Sequence, residues 1–227
     1  MKIPALHSWN VSLSGAAALQ EELRERVRFR TFSRSRVRYV AGADIALGPA
    51  RDELIAAVVV VDFRSLEVVE TRVLSHPLVF PYVPGYLSFR EAPAVIACLR
   101  RARTPIDALL CDGQGIAHPR GLGLASHVGL WAGIPTVGCA KSRLVGHFVE
   151  PGRRRGSVSS LVYEGERVGS VLRTRDNVKP LFVSPGHLID HEGSVQLVLA
   201  CSTRYRLPEP ARLAHMAAGE EKRRRAA

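Results

Sequence analysis

Between Arg38 and Ser75 the apolar positions fall into three short runs, Arg38 to Leu47, Glu53 to Asp62 and Glu67 to Ser75, each bounded by Gly, Pro, Asp or Ser. Valine- and isoleucine-rich runs between turn formers define strands, and the short gaps predict an antiparallel meander. Upstream, Leu13 to Phe29 spaces apolar side chains at helical intervals among glutamates and arginines, predicting an amphipathic helix on the outside of the sheet. Downstream, Leu87 to Arg101 predicts a helix in spite of Pro93, and Thr104-Pro105 leads into a buried strand over Ile106 to Cys111. A helix over Leu122 to Ala132 and a strand over Ile134 to Gly138 complete a strand-helix-strand unit, which requires a parallel pair. The pattern continues with a hairpin of Val158 to Tyr163 and Arg167 to Arg175, a short strand Leu181 to Ser184, and a last helix Leu188 to Cys201. A meander feeding α/β alternation predicts an α/β fold with a mixed sheet flanked by helices.

Composition narrows the setting. The 227 residues suit one core, expected over residues 1–216, while residues 217–227, with Glu220-Glu221-Lys222-Arg223-Arg224-Arg225, have so little apolar content that a disordered basic tail is expected. Lys and Arg outnumber Asp and Glu by 32 to 21, a formal charge of +11 that suits a polyanionic partner but carries no sequence specificity. The cysteines Cys98, Cys111, Cys139 and Cys201 form no C-x-x-C pair, arguing against a zinc site or a disulfide framework. With no signal-peptide core and no apolar run long enough to span a bilayer, a cytoplasmic protein that keeps away from membranes is expected.

Three carboxylates stand out. Asp44 interrupts the apolar run Val40 to Leu47, Glu91 falls in the helix after the meander, and Asp112 ends the buried strand and opens the glycine-rich turn Gly113-Gln114-Gly115. A carboxylate within an apolar strand is costly to bury unless paired, hydrogen-bonded or metal-bound. For Asp44 alone, a hydrogen-bonded structural aspartate explains the sequence as well as a ligand does. Hard oxygen donors suit Mg²⁺, and in a basic protein a carboxylate cluster points to phosphodiester chemistry.

Five separate blocks carry a family likeness: Gly42-Ala43-Asp44-Ile45-Ala46, Pro81 through Glu91, Asp112 through Leu130, Pro135 through Leu144, and Pro180 through His187. In order and spacing the chain resembles endonuclease V, nucleases that nick nucleic acid near deaminated adenine on a ribonuclease H-like fold. The resemblance implies Asp44, Glu91 and Asp112 as ligands of Mg²⁺, with Mn²⁺ able to substitute, and Pro81-Tyr82-Val83-Pro84 as a wedge beside the lesion. Prolines stiffen such a loop, and an aromatic face replaces stacking lost by a flipped base. Leu87, Gly113, Gly115 and Gly123 are the expected walls of the base pocket. His118, Arg120 and Lys141 are expected near the scissile phosphate, and His187 near the site. His127 reads equally well as a packed histidine, and Gly152-Arg153-Arg154-Arg155-Gly156 as a solvated charge run or a phosphate-touching loop.

The implied reaction is Mg²⁺-dependent hydrolysis of the second phosphodiester bond 3′ of inosine, leaving 3′-hydroxyl and 5′-phosphate ends, and the enzyme is expected to be a monomer that hands its nick to downstream repair proteins. Two alternatives remain open in the sequence: a nuclease acting mainly on inosine-containing RNA or branched DNA, and a non-catalytic nucleic-acid-binding domain.

Overall fold

The computed structural model describes residues 1–227. Strands β1 (Tyr39–Leu47), β2 (Glu53–Asp62) and β3 (Val68–Pro77) form the antiparallel meander, and β4 (Ala108–Cys111) and β5 (Thr136–Ala140) extend it in parallel beyond β1. Strands β6 (Val158–Tyr163), β7 (Glu166–Leu172) and β8 (Leu181–His187) complete one sheet of eight, ordered β3-β2-β1-β4-β5-β8-β7-β6. The mixed sheet expected from the sequence is therefore the observed one.

Alternation along the strands builds two cores. Ala41, Val58, Val60, Leu109 and Cys111 face helices α2 (Leu87–Arg101) and α3 (Leu124–Ala132), whereas Val40, Val59, Val61, Leu110 and Val137 face α4 (His191–Cys201) and α5 (Glu209–Ala226). Helix α1 (Leu13–Arg24) buries Ala16 against Phe80 and Phe89, beneath the loop that precedes α2. No helix is long and apolar enough to cross a membrane.

Several boundaries differ from the sequence reading for local reasons. Helix α1 stops at Arg24, and the following segment runs alongside residues 188–190, with Arg28 and Arg30 carbonyls accepting from Leu188 and Asp190 N–H groups. Strand β8 runs on through Pro185, which is tolerated because β7 pairs only with Leu181 to Val183 and the Pro185 carbonyl accepts from Ile116 N–H. Helix α4 starts at His191, since Leu188 has a left-handed φ of 53° and Asp190 caps the helix by accepting from Gly193 N–H.

The largest correction concerns the carboxyl terminus. Residues 209–226 form α5, so the segment 217–226 read from sequence as a disordered tail is helical. Its buried stripe is Ala211, Ala214 and Ala218, small residues that allow close approach to the sheet yet add little apolar signal to the sequence. Near its end Arg225 forms an ion pair with Glu53 of β2. The approach is closest at Gly42: a Cβ there would stand 2.1 Å from the Pro210 carbonyl carbon.

Candidate active site

The parallel register of β1 and β4 pairs Ala43 with Cys111, so the next residue on each strand, Asp44 and Asp112, emerges at the same level. Asp112 N–H donates to the Ala43 carbonyl at 3.2 Å, fixing the start of the glycine-rich turn. Across the α5 face, His215 Nδ1 lies 2.6 Å from Asp44 Oδ2. One donor atom each from Asp44, Asp112 and His215 lie within 4.8 Å of one another. Glu91, reaching in from α2, falls outside that tightest group but lies close enough to feel both aspartates. Burial, then Asp44, then Asp112 push its carboxyl up to about 8, and Asp44 is raised by burial and by Asp112. Burial and mutual repulsion push these carboxylates toward their protonated forms, and a bound divalent cation would favour the ionised ones. Oxygen-rich donors with one imidazole fit a hard divalent ion.

His215 was not singled out in the sequence, because the helix that carries it was not anticipated. Proline at positions 208 and 210 followed by alanines three and four residues apart was the available signal. Lys141, directly after β5, donates from its ammonium to Asp112 Oδ2. Arg206, also unanticipated, holds the Lys141 loop by donating to the carbonyls of Lys141 at 2.8 Å and Pro180 at 2.6 Å.

Beside the carboxylates lies a cavity of about 150 Å³, on the scale of a single nucleobase. Leu87 and Gly123, expected as pocket walls, line it, and so do Tyr82, Val83 and Pro84 of the expected wedge, with Tyr82 70% exposed. Gly113 and Gly115, expected as pocket walls, do not line it; Ser88, Gln114 and His118 do. Gly115 has a packing role instead, since a Cβ there would stand 2.0 Å from the Pro185 carbonyl oxygen. Pro81 precedes the pocket and is exposed without lining it. The N–H groups of Leu87 and Ser88, two cavity-lining residues in the first turn of α2, have no acceptor within the chain.

His118 and Arg120, expected near the scissile phosphate, turn their side chains to the backbone at the end of the wedge loop. The Gly85 carbonyl, at the end of the wedge loop, accepts from His118 Nε2 at 3.0 Å, Arg120 Nη2 at 2.8 Å and Gln20 Nε2 at 3.0 Å. His118 Nδ1 accepts from the Arg120 amide at 3.2 Å, so both ring nitrogens are spent on backbone. Burial and the neighbouring Arg120 charge hold the imidazole down to about 4, hence neutral. Arg120 also donates to Gln20 Oε1 at 2.6 Å and stacks its guanidinium over the Tyr86 ring. These residues anchor the wedge loop.

His187 lies away from the site. It pairs with Thr136, whereas Cys111, just before Asp112, pairs with Gly138, so His187 stands at the opposite end of β5 and accepts from Arg28 N–H. Arg155 is likewise structural, closing the carboxyl end of α4 through the Leu199 and Ser202 carbonyls. His127 is buried, packed among His7, Trp9 and Phe89. All four cysteines are free and buried.

The ribonuclease H-like mixed sheet, with its acidic cluster at the ends of adjacent strands, defines a nuclease built on carboxylates. The endonuclease V family model matches residues 21–216. Endonuclease V of Alkalilimnicola ehrlichii is 49% identical over 94% of both chains. The crystal structure of endonuclease V from Streptomyces avermitilis superposes with a TM-score of 0.91 at 40% identity, covering 99% of this chain and 98% of that one. Ciona intestinalis endonuclease V, crystallised as a D234N variant with a 23mer DNA containing an inosine followed by a ribo-adenosine, gives 0.84 at 27% identity, covering 93% and 97%. The chain belongs to the endonuclease V family and is an endonuclease, a hydrolase of phosphodiester bonds.

Proposed function

We propose that this endonuclease binds an inosine in a nucleic-acid strand, turns the base into the cavity behind Tyr82, and hydrolyses the second phosphodiester bond on its 3′ side with Mg²⁺. The observation that carries the reading is the juxtaposition of a nucleobase-sized pocket with a carboxylate cluster whose members repel one another. Its support from the family is the Ciona intestinalis enzyme bound to inosine-containing DNA.

Asp44, Asp112 and His215, with Glu91 behind them, would hold the ion. When bound, Mg²⁺ supplies charge neutralisation at the phosphate and the leaving oxygen and acidifies water. Lys141, already on Asp112, adds a positive charge for a non-bridging phosphate oxygen. His215 Nδ1 lies against Asp44 Oδ2, so the imidazole and the carboxylate orient one another at the site where the ion would sit. Tyr82 replaces stacking lost by the neighbouring base, and the anchored Gly85 holds the wedge against the helix duplex. The unpaired Leu87 and Ser88 amides favour a base carrying a carbonyl at the hypoxanthine O6 position over the amine of adenine.

A second reading takes RNA as the substrate, and the ribo-adenosine that follows the inosine in the Ciona intestinalis complex favours testing it. Labelled strands carrying one inosine as all-DNA, as all-RNA and as DNA with a single 3′ ribonucleotide, compared with a branched junction, separate the readings. Cleavage of the junction without preference for inosine would overturn the main one.

A further inference from the structure

A directed chain of hydrogen bonds runs from the amino-terminal segment to the base cavity. His7 Nδ1 lies 2.8 Å from the Ser8 carbonyl oxygen, which can only accept, so Nδ1 carries the ring proton. His7 Nε2 is then the bare nitrogen, and Trp131 Nε1–H donates to it at 3.1 Å. His127 Nε2, 2.7 Å from the same atom, must therefore be protonated, because two bare nitrogens cannot bond. That leaves His127 Nδ1 bare, and it accepts the hydroxyl proton of Ser88 at 3.0 Å. Burial lowers both imidazoles from their ordinary value, and Trp9, Phe89 and Trp131 pack around the rings.

Ser88 is the second residue of α2 and lines the cavity. With its proton committed to His127, its oxygen has only lone pairs left for a ligand. We propose that Ser88 Oγ is a specificity-determining acceptor for position 1 of the bound purine, its polarity fixed by the His127-His7-Trp131 chain. Hypoxanthine carries N1–H and donates to it; adenine carries a bare N1 and meets lone pair with lone pair. The neighbouring Leu87 and Ser88 amides, lacking acceptors, complete a donor-donor-acceptor edge that matches O6 beside N1–H and opposes the reversed edge of adenine. Guanine has the same O6 and N1–H edge, so Ser88 sorts against adenine and not against guanine. The assignment rests on the inosine reading.

The test uses labelled DNA strands carrying deoxyinosine, deoxyadenosine or 1-deaza-2′-deoxyinosine, which keeps O6 and replaces N1–H by C–H. The wild-type protein is expected to cleave the 1-deaza strand with kcat/KM about tenfold or more below the deoxyinosine strand, since the acceptor then loses its donor. In Ser88→Ala the two strands are expected to become equivalent. Equal cleavage of the two by wild type, or a wild-type ratio retained in Ser88→Ala, overturns the assignment of Ser88 while leaving a preference for inosine over adenosine intact. Cleavage of deoxyadenosine as well as deoxyinosine by wild type would instead overturn the inosine reading and the Ser88 assignment with it.

Discussion

His215 and Asp44, 171 positions apart in the chain, meet at 2.6 Å because helix α5 lies directly on strand β1. The contact depends on Gly42, two residues upstream of Asp44, where no side chain holds the helix away. In Gly42→Ala the new Cβ, 2.1 Å from the Pro210 carbonyl carbon, forces α5 outward. Overpacking of this kind costs about 1–3 kcal/mol. A lowered Tm is expected together with loss of cleavage beyond tenfold, about the level of His215→Ala; thermal melts and single-turnover cleavage on the same preparations check both.

Glu91 makes the metal-free protein sensitive to alkaline pH. Its folded carboxyl is raised to about 8 from an ordinary value of 4.5, so it favours the protonated form. Its contribution to stability is whole below pH 4.5 and is lost as pH rises toward 8. In chelator, the wild-type Tm should fall across that window and Glu91→Gln should fall less. Adding Mg²⁺ at neutral pH should release a proton in wild type, read by calorimetry in buffers of different ionisation enthalpy, and release less in Glu91→Gln.

On the acid side His118 contributes together with the other buried histidines, His127 and His187 among them. Held down to about 4 from 6.5, His118 is neutral in the fold, so its contribution to stability is whole above 6.5 and is lost as pH falls toward 4. His118→Gln can keep a donor for the Gly85 carbonyl without a titrating ring, and its melting temperature should decline less steeply between those limits. An unchanged acid profile would mean that the ring is not held neutral.

Tyr82 is 70% exposed, so Tyr82→Ala should leave Tm unchanged. Stacking of a base on an aromatic ring is worth about 1–3 kcal/mol. Affinity for an inosine strand should drop accordingly, and Tyr82→Trp should restore it; equal binding by the alanine variant would remove the wedge role.

The sequence made the sheet legible because its strands are short apolar runs separated by turn residues, and it exposed Asp44 and Asp112 because a charge inside such a run or at its end needs a reason. It hid α5, whose buried stripe is alanine, and with it His215. It also could not say how the glycine-rich turn is used. Glycine at 115 looks the same whether it approaches a base or a strand, and only the 2.0 Å clearance to Pro185 decides for the strand. His118 and Arg120 sit next to a reactive aspartate in sequence, yet their hydrogen bonds turn them toward Gly85, a partner more than thirty positions upstream.

The most direct measurement is cleavage of one end-labelled strand carrying a single deoxyinosine, by wild type and by Asp112→Asn, with Mg²⁺ and with chelator. Wild type with Mg²⁺ should cut the second bond 3′ of the lesion, leaving 3′-hydroxyl and 5′-phosphate ends, and chelator should abolish the product. Asp112→Asn should bind the strand without cutting it. Full cleavage by Asp112→Asn, or by wild type in chelator, would contradict the metal-carboxylate account.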